Sequence, residues 1–482
     1  MEHYFGKKGY SVKKSSLTSS QCYEIRSELT MKPNNQMNGF VSNVTFPIYR
    51  ESNNKFYLPR YYGIEKFGPY NRSLIHQGDD INIEFNGSLF PYQDNIISKF
   101  INFVGEGGGG LLDVEPGKGK TVMGLNIISK LKKKTLVVVH KSFLLNQWKE
   151  RIEQFLPNAK VGSIQGQTID VEGKDIVIGM LQTLCTKIFD EDIISQFGLT
   201  IYDECHHLSA EVFSNVMNNI ITNYCLGLSG TMTRKDGLTK VFKYFIGPVV
   251  HKEKSDNKVK VTINTILFED PENDTFNEVE TDFKGNPMYS RMITKLCDND
   301  SRSSMIVNVI HYEIKRDPKQ QIMILAHNKN LIYHLYEEIQ KFEASIGLYL
   351  GGMKEEQLKE SESKRVIIAT YAMASEGLDI KSLTTLLMAT PKSDVCQSIG
   401  RILRSKHANP LVIDIVDIHD IFRNQYNKRK AYYKKKEYVI HKYLNLNNYL
   451  EQNYTIEDLS KKQTKTKAKK PVCLINIQGN AS

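Results

Sequence analysis

From residue 111 onward the chain alternates short apolar runs of strand length with amphipathic stretches at helical spacing. The runs are LLDV (111–114), TLVVVH (135–140), DIVIGM (175–180), LTIYDE (199–204) and CLGLSG (225–230). Near-continuous apolar runs separated by helices predict a parallel sheet covered on both faces. The rhythm breaks after Gly247 and resumes with QIMILAH (321–327), IGLYL (346–350), RVIIAT (365–370), TTLLMAT (384–390) and LVIDIVD (411–417). Two tandem α/β domains, at 86–250 and 301–440, follow from this. Between them, 251–300 holds one strand-like run, KVKVTINTILF (258–268), in polar surroundings, and reads as a connector or small insertion. Residues 1–85 carry short alternating runs such as FVSNVTFPIYR and KFYLPRYYGI, which predict a small accessory domain with β content. From Tyr426 the chain reads as helical and basic to about residue 459. Residues 441–482 are taken as a helical extension ending in a Lys/Thr/Gln tail whose composition predicts disorder.

Composition narrows the class of protein. A chain of 482 residues suggests about three domains, and 40% hydrophobic with 24% charged residues is the balance of a globular protein. No apolar run approaches the roughly 20 residues that span a bilayer. The N-terminal MEHYFGKKGYSVKK lacks a signal-peptide core, so an intracellular, cytoplasmic protein, or one packaged from inside a cell, is expected. Seven scattered cysteines without a CxxC pair offer neither a disulfide framework nor a zinc site. The net charge of +10 is concentrated in NKRKAYYKKKEY (427–438) and KKQTKTKAKK (461–470). Such clusters suit a polyanion, because binding releases counterions from nucleic acid, but from charge alone a solvated helix face with a disordered tail is the better reading.

Two glycine clusters flank LLDV: Gly107 to Gly110 before it, and EPGKGKT (115–121) after it. In a parallel strand the two ends face opposite rims of the sheet, so only the second cluster shares a rim with the acidic residues that end LTIYDE. A glycine-rich turn leading into TVMGLNIISKL surrounds an anion with backbone N–H groups and a helix N-terminus. Glu115, Pro116, Gly117, Lys118, Gly119, Lys120 and Thr121 are therefore the expected nucleotide loop. Lys120 is expected to reach the β- and γ-phosphates, and Thr121 to ligate Mg²⁺. Val114 stands where the general phosphate-loop pattern has glycine, and a lysine-rich surface turn is the alternative. Asp203 is placed to hold Mg²⁺ through water and Glu204 to polarise the attacking water; a zinc cluster of Glu204, His206 and His207 is the competing reading. SGT (229–231) ends the next strand, with Ser229 and Thr231 as coupling hydroxyls. The first glycine cluster is expected to be a flexible lead-in turn. Trp148, the only tryptophan, is expected to pack in the core.

These motifs resemble the superfamily 2 helicases and translocases with a DExH box, nearest the XPB-like and UvsW-like group and the helicases of large DNA viruses. The resemblance covers roughly 88–435. It rests on SLFPYQ (88–93), EPGKGKT, TLVVVHKSFLLNQW (135–148), DIVIGMLQTL (175–184), YDECHH (202–207), LGLSGTMTRKDGL (226–238), SEGLDI (375–380) and QSIGRILR (397–404). It implies two RecA-like domains, with Gln93 reading adenine and His206 linking nucleotide state to the partner domain. It also implies that the segments after Thr135 and around Gln182 and Thr183 touch a nucleic-acid backbone. Many members have arginine where Phe90 stands. From the second domain, Gln397 would sense the γ-phosphate, Arg404 would be the arginine finger supported by Arg401, and Gly377 and Asp379 would lie against nucleotide or a coupling partner. Gly351 and Gly352 fit either a backbone contact or a plain turn.

The expected activity is ATP-dependent unwinding of, or movement along, DNA or RNA, with ATP and Mg²⁺, in viral transcription or repair within a viral factory or virion. A double-strand translocase of a restriction or remodelling complex, and a nucleic-acid-binding scaffold with an inactive core, are the alternatives.

Overall fold

The computed structural model describes residues 3–32, 36–37, 40–41, 45–115, 117–204, 210–230, 238–252, 260–376, 380, 382–402 and 410–457. Two eight-stranded sheets dominate it. In the first, the strands run in the order Thr168–Ile169, Val161–Gln165, Ile176–Met180, Thr135–Val139, Leu199–Asp203, Tyr224–Ser229, Gly108–Asp113 and Val249–Lys252. Every neighbouring pair is parallel except the antiparallel edge formed by Thr168–Ile169. The second sheet repeats the plan, with the order Ile346–Tyr349, Val366–Thr370, Gln321–Ala326, Leu383–Met388, Leu411–Asp417, Thr262–Phe268, Val439–Tyr443 and Thr455–Ile456. It too is parallel apart from its last strand.

The expected tandem α/β architecture is what the chain forms, for the reason its runs suggested. Leu111, Leu136 and Val138 face one core while Leu112, Val137 and Val139 face another, so successive residues are buried on opposite sides. The second sheet divides likewise, with Ile322 and Ile324 on one side and Met323 and Leu325 on the other.

The N-terminal region forms a separate five-stranded sheet, ordered Arg50–Glu51, Lys55–Leu58, Gly9–Lys13, Tyr4–Gly6 and Arg72–Ser73. It shares a continuous core with one face of the first large sheet, since Phe5, Tyr10 and Phe56 cluster with Leu111, Leu136 and Phe213. Polar contacts fix the docking at the amino-terminal rim: Arg60 donates to the Asn223 carbonyl at 2.9 Å and Arg50 to that of Asn218 at 3.2 Å.

Three sequence expectations need correction. The first glycine cluster is not a lead-in turn, because Gly108, Gly109 and Gly110 are the first half of the strand Gly108–Asp113. They are small because neighbours crowd them: a Cβ on Gly109 would lie 2.4 Å from the Ile246 carbonyl oxygen, and one on Gly110 2.3 Å from Val250 Cγ2. The Tyr61 hydroxyl closes on the same backbone, accepting from the Gly109 N–H at 2.6 Å and donating to the Gly109 carbonyl at 2.8 Å.

The run KVKVTINTILF is likewise no connector. Its Thr262–Phe268 portion is an interior strand of the second sheet, paired with Leu411–Asp417 and Val439–Tyr443. Nor is the segment after Tyr426 helical throughout. The helix Asp420–Lys435 gives way to Val439–Tyr443, which extends the second sheet before the short helix Leu446–Leu450. The basic tail from 458 on lies outside the described residues, and among the described residues no helix is long and apolar enough to cross a membrane.

Candidate active site

The carboxyl-terminal rim of the first sheet gathers the residues singled out above. The strand Gly108–Asp113 leads through Val114 and Glu115 into a turn, and the helix Lys120–Leu131 starts immediately after Gly119. Gly117 and Gly119 have φ of 85° and 78°, left-handed conformations that glycine adopts without strain. Val114, at the position where the general pattern has glycine, is fully buried, and its N–H donates to the Ser229 carbonyl at 3.0 Å. The backbone bond anchors the start of the loop to the neighbouring strand, and the valine side chain adds packing in the core.

Lys120 donates from Nζ to Glu204 Oε1 at 2.5 Å, with the two side chains 10% and 20% exposed. Glu204 follows directly on the strand Leu199–Asp203 with φ of 47°, a positive value uncommon outside glycine. Asp203 is buried and accepts from the Trp148 indole N–H at 2.8 Å. Burial, and then the charge of Glu204, pushes the Asp203 carboxyl up to about 6 despite the opposing effects of Lys120 and the indole. Asp113, half-buried at the end of its strand, is also pushed up, chiefly by burial; its carboxylate lies 3.7 Å from Lys252 Nζ.

Gln93 sits behind the loop. The helix Pro91–Val104 begins with proline at a position where no N–H is needed, and the Phe90 N–H donates to Gln93 Oε1 at 3.0 Å. The Gln93 amide and the Tyr92 hydroxyl both donate to the Lys118 carbonyl at 3.1 Å. Gln93 is buried and braces the loop, while Phe90 is 64% exposed and stacks on Tyr92 with ring centroids 5.8 Å apart. Thr121 occupies the first turn of the helix Lys120–Leu131 and is half-buried. Glu115 is ion-paired with Lys436, at the end of the helix Asp420–Lys435, so the second α/β domain touches this loop.

The second domain contributes less that can be described. Gln397 and Arg401 belong to the helix Cys396–Ile402, but their side chains, and Pro116, His206, His207, Thr231, Gly377, Asp379 and Arg404, lie outside the described residues. What does emerge is the support of the segment entering that helix. Arg302 makes a two-toothed pair with Asp417 at 2.6 and 3.0 Å and donates to the Ala389 carbonyl at 2.7 Å. Arg429 pairs with Asp414 through two contacts of 2.8 Å and donates to the Lys392 carbonyl at 2.8 Å. Tyr433 adds a third donor to Asp414 at 2.9 Å. Sequence reasoning missed these residues and the Trp148–Asp203 bond. The one available signal was a lone Asp inside the apolar run LVIDIV, which needs a buried partner.

Residues 86–234 match the family model described as "Type III restriction enzyme, res subunit". A protein of Acanthamoeba polyphaga mimivirus named "Putative ATP-dependent RNA helicase" is 35% identical over 438 residues, spanning 87% of this chain and 83% of its own length. The chain belongs to the superfamily 2 helicases. It stands close to those of large DNA viruses. A "Putative helicase" of Invertebrate iridescent virus 6 shares 25% identity over 84% of this helicase and 93% of its own length. An African swine fever virus protein with the same descriptive name as the mimivirus one shares 26% over 70% of each. The solved structure of UvsW from phage T4 aligns with 92% of this helicase and all of its own chain at 16% identity; its TM-score of 0.37 is too low to bear on fold or function. Membership makes the protein an ATP-dependent enzyme acting on nucleic acid, and ATP is its nucleotide.

Proposed function

We propose that this helicase hydrolyses ATP at the rim built by Lys120, Thr121, Asp203 and Glu204, and uses the cycle to move along or open RNA. The observation that carries the site is the Lys120–Glu204 pair at 2.5 Å, beside a loop shaped by two left-handed glycines. A triphosphate entering the loop meets backbone N–H groups and competes with Glu204 for Lys120. Lys120 then holds the β- and γ-phosphates, and Glu204, released from the ammonium, accepts a proton from the attacking water.

The donor chemistry suits a hard divalent cation, since Asp203 offers carboxylate oxygen and Thr121 a hydroxyl. Mg²⁺ held there supplies neutralisation of charge on the phosphate oxygens. Ser229 and Thr231 couple this rim to the substrate strand, and His206 links nucleotide state to the second domain. From the second domain, Gln397 reads the γ-phosphate, Arg401 and Arg404 neutralise charge at the transferring phosphoryl group, and Gly377 and Asp379 approach the nucleotide. The Glu115–Lys436 ion pair, which joins the loop to the second domain, supports closure of one domain on the other. Gln93 acts on adenine selectivity through its brace on Lys118.

RNA is favoured because the mimivirus and African swine fever virus relatives bear that substrate in their names. Viral transcription, inside the infected cell, is the matching process and its machinery the matching partner. A second reading, movement on duplex DNA without strand separation, is favoured by the restriction-subunit family description. ATPase rates with RNA, single-stranded DNA and duplex DNA at one stated salt concentration, beside strand-displacement and triplex-displacement assays, separate the two. Stimulation by duplex DNA alone, with triplex but no strand displacement, selects the second.

A further inference from the structure

We infer that Trp148 is a positioning residue: its indole N–H fixes the Asp203 carboxylate, and through it the helix Ser142–Phe155 controls how well the site holds Mg²⁺. This rests on the reading of Asp203 as a metal-site carboxylate given above.

Trp148 is fully buried, so its packing role is real, but packing does not require a donor aimed at a buried anion. The Nε1–Oδ2 distance is 2.8 Å, with Asp203 only 6% exposed. The terminal torsion of an aspartate is broad and roughly two-fold, so a hydrogen bond to one oxygen selects the orientation of both. The indole also packs on the helix that starts at Lys120: a Cβ on Gly124 would lie 3.2 Å from Trp148 Cη2. One rigid ring therefore spans the carboxylate and the helix carrying the phosphate loop.

The opposite face of the Trp148 helix meets the second domain. Asn146 donates to Glu355 at 3.4 Å, and Lys359 donates to Glu150 at 3.1 Å. Residues 146 and 150 are one turn apart, and 148 projects from the other side. A displacement of the second domain that moves this helix reaches the Asp203 carboxylate through the indole hydrogen bond, while the Glu204 backbone N–H holds the same carboxylate from its own strand end.

The test uses the full chain and Trp148→Phe, which keeps an aromatic ring and removes the donor. The Mg²⁺ concentration for half-maximal ATP hydrolysis should rise roughly 10- to 100-fold, as for other groups that orient a metal ligand. The KM for ATP at saturating Mg²⁺ should stay within about twofold, since no phosphate contact is touched. Stimulation by RNA should fall with it. Because Trp148 is the only tryptophan, wild-type emission reads the same bond with no variant: adding Mg²⁺ with ADP should shift it, and in Asp203→Asn the shift should vanish. An unchanged Mg²⁺ requirement in Trp148→Phe, or in wild type an emission that ignores Mg²⁺ with ADP, overturns the inference. If Asp203→Asn itself leaves the Mg²⁺ requirement unchanged, the failure lies in the metal-site reading beneath it.

Discussion

The two large domains share a sheet plan but use ion pairs in opposite ways. In the first, Lys120 and Glu204 face each other at a sheet rim with 10% and 20% of their side chains exposed, next to a turn built from left-handed glycines. In the second, Arg302–Asp417 and Arg429–Asp414 are sealed, with exposures of 0% and 1%, and each arginine also grips a backbone carbonyl. In the mechanism proposed above, the first arrangement exchanges partners when the triphosphate arrives. The second holds the chain from Ala389 to Lys392 in place ahead of the helix Cys396–Ile402. Similar chemistry is thus left accessible to water and ligand in one domain and sealed as a clamp in the other.

Removing the reactive charge should have the largest effect. Lys120→Ala is expected to cut ATP turnover by about 10²–10⁴-fold, in the range of a lost electrostatic or proton-transfer group, while thermal unfolding changes little. A turnover drop matched by a collapsed melting curve would place Lys120 with the clamps instead. Arg302→Met should do the reverse. It strands the Asp417 carboxylate in the interior and should cost about 3–5 kcal/mol in urea unfolding, with the ATP affinity of the folded fraction preserved. An unaffected unfolding midpoint would mean that the pair is no clamp.

Smaller effects sharpen the contrast between the two ends of the strand Gly108–Asp113. Gly109→Ala forces a methyl against the Ile246 and Cys225 carbonyls and should cost on the order of 1–3 kcal/mol, with ATP binding intact. Selective loss of ATP binding at this amino-terminal end would contradict the assignment of the loop. The smallest effect is titration. Burial and the Glu204 charge raise the Asp203 carboxyl to about 6, so protons compete with Mg²⁺ once the pH drops below that value. The Mg²⁺ needed for half-maximal turnover should be flat from pH 7 to 8 and climb up to about tenfold per pH unit below 6. A flat requirement down to pH 5 would show that Asp203 stays ionised without help.

The sheets were legible because strands buried on both faces are apolar at every position, and the turn into the helix at Lys120 because its glycines and the helical spacing after it stand at fixed positions. Thr262–Phe268 was harder to place, since Asn264 and Thr265 interrupt its apolar run. Both are nonetheless buried at 2%, and Thr265 donates to the His441 carbonyl at 3.3 Å. Gly108 to Gly110 carry no side chains whose period could mark a strand. The buried bonds that hold Asp203 and the second-domain clamp join residues 55 apart, for Trp148 and Asp203, or 115 apart, for Arg302 and Asp417. No local pattern encodes such partners; only the folded sheet brings them together.

In the proposed mechanism Glu204, paired with Lys120, works on the nucleotide. This role is tested most directly by ATP hydrolysis of wild type and Glu204→Gln, side by side, with and without RNA at one stated salt concentration. The expected result is a wild-type rate that rises with RNA and a variant at background under both conditions, with its unfolding midpoint unchanged. A Glu204→Gln protein that hydrolyses ATP at the parent rate would contradict the account.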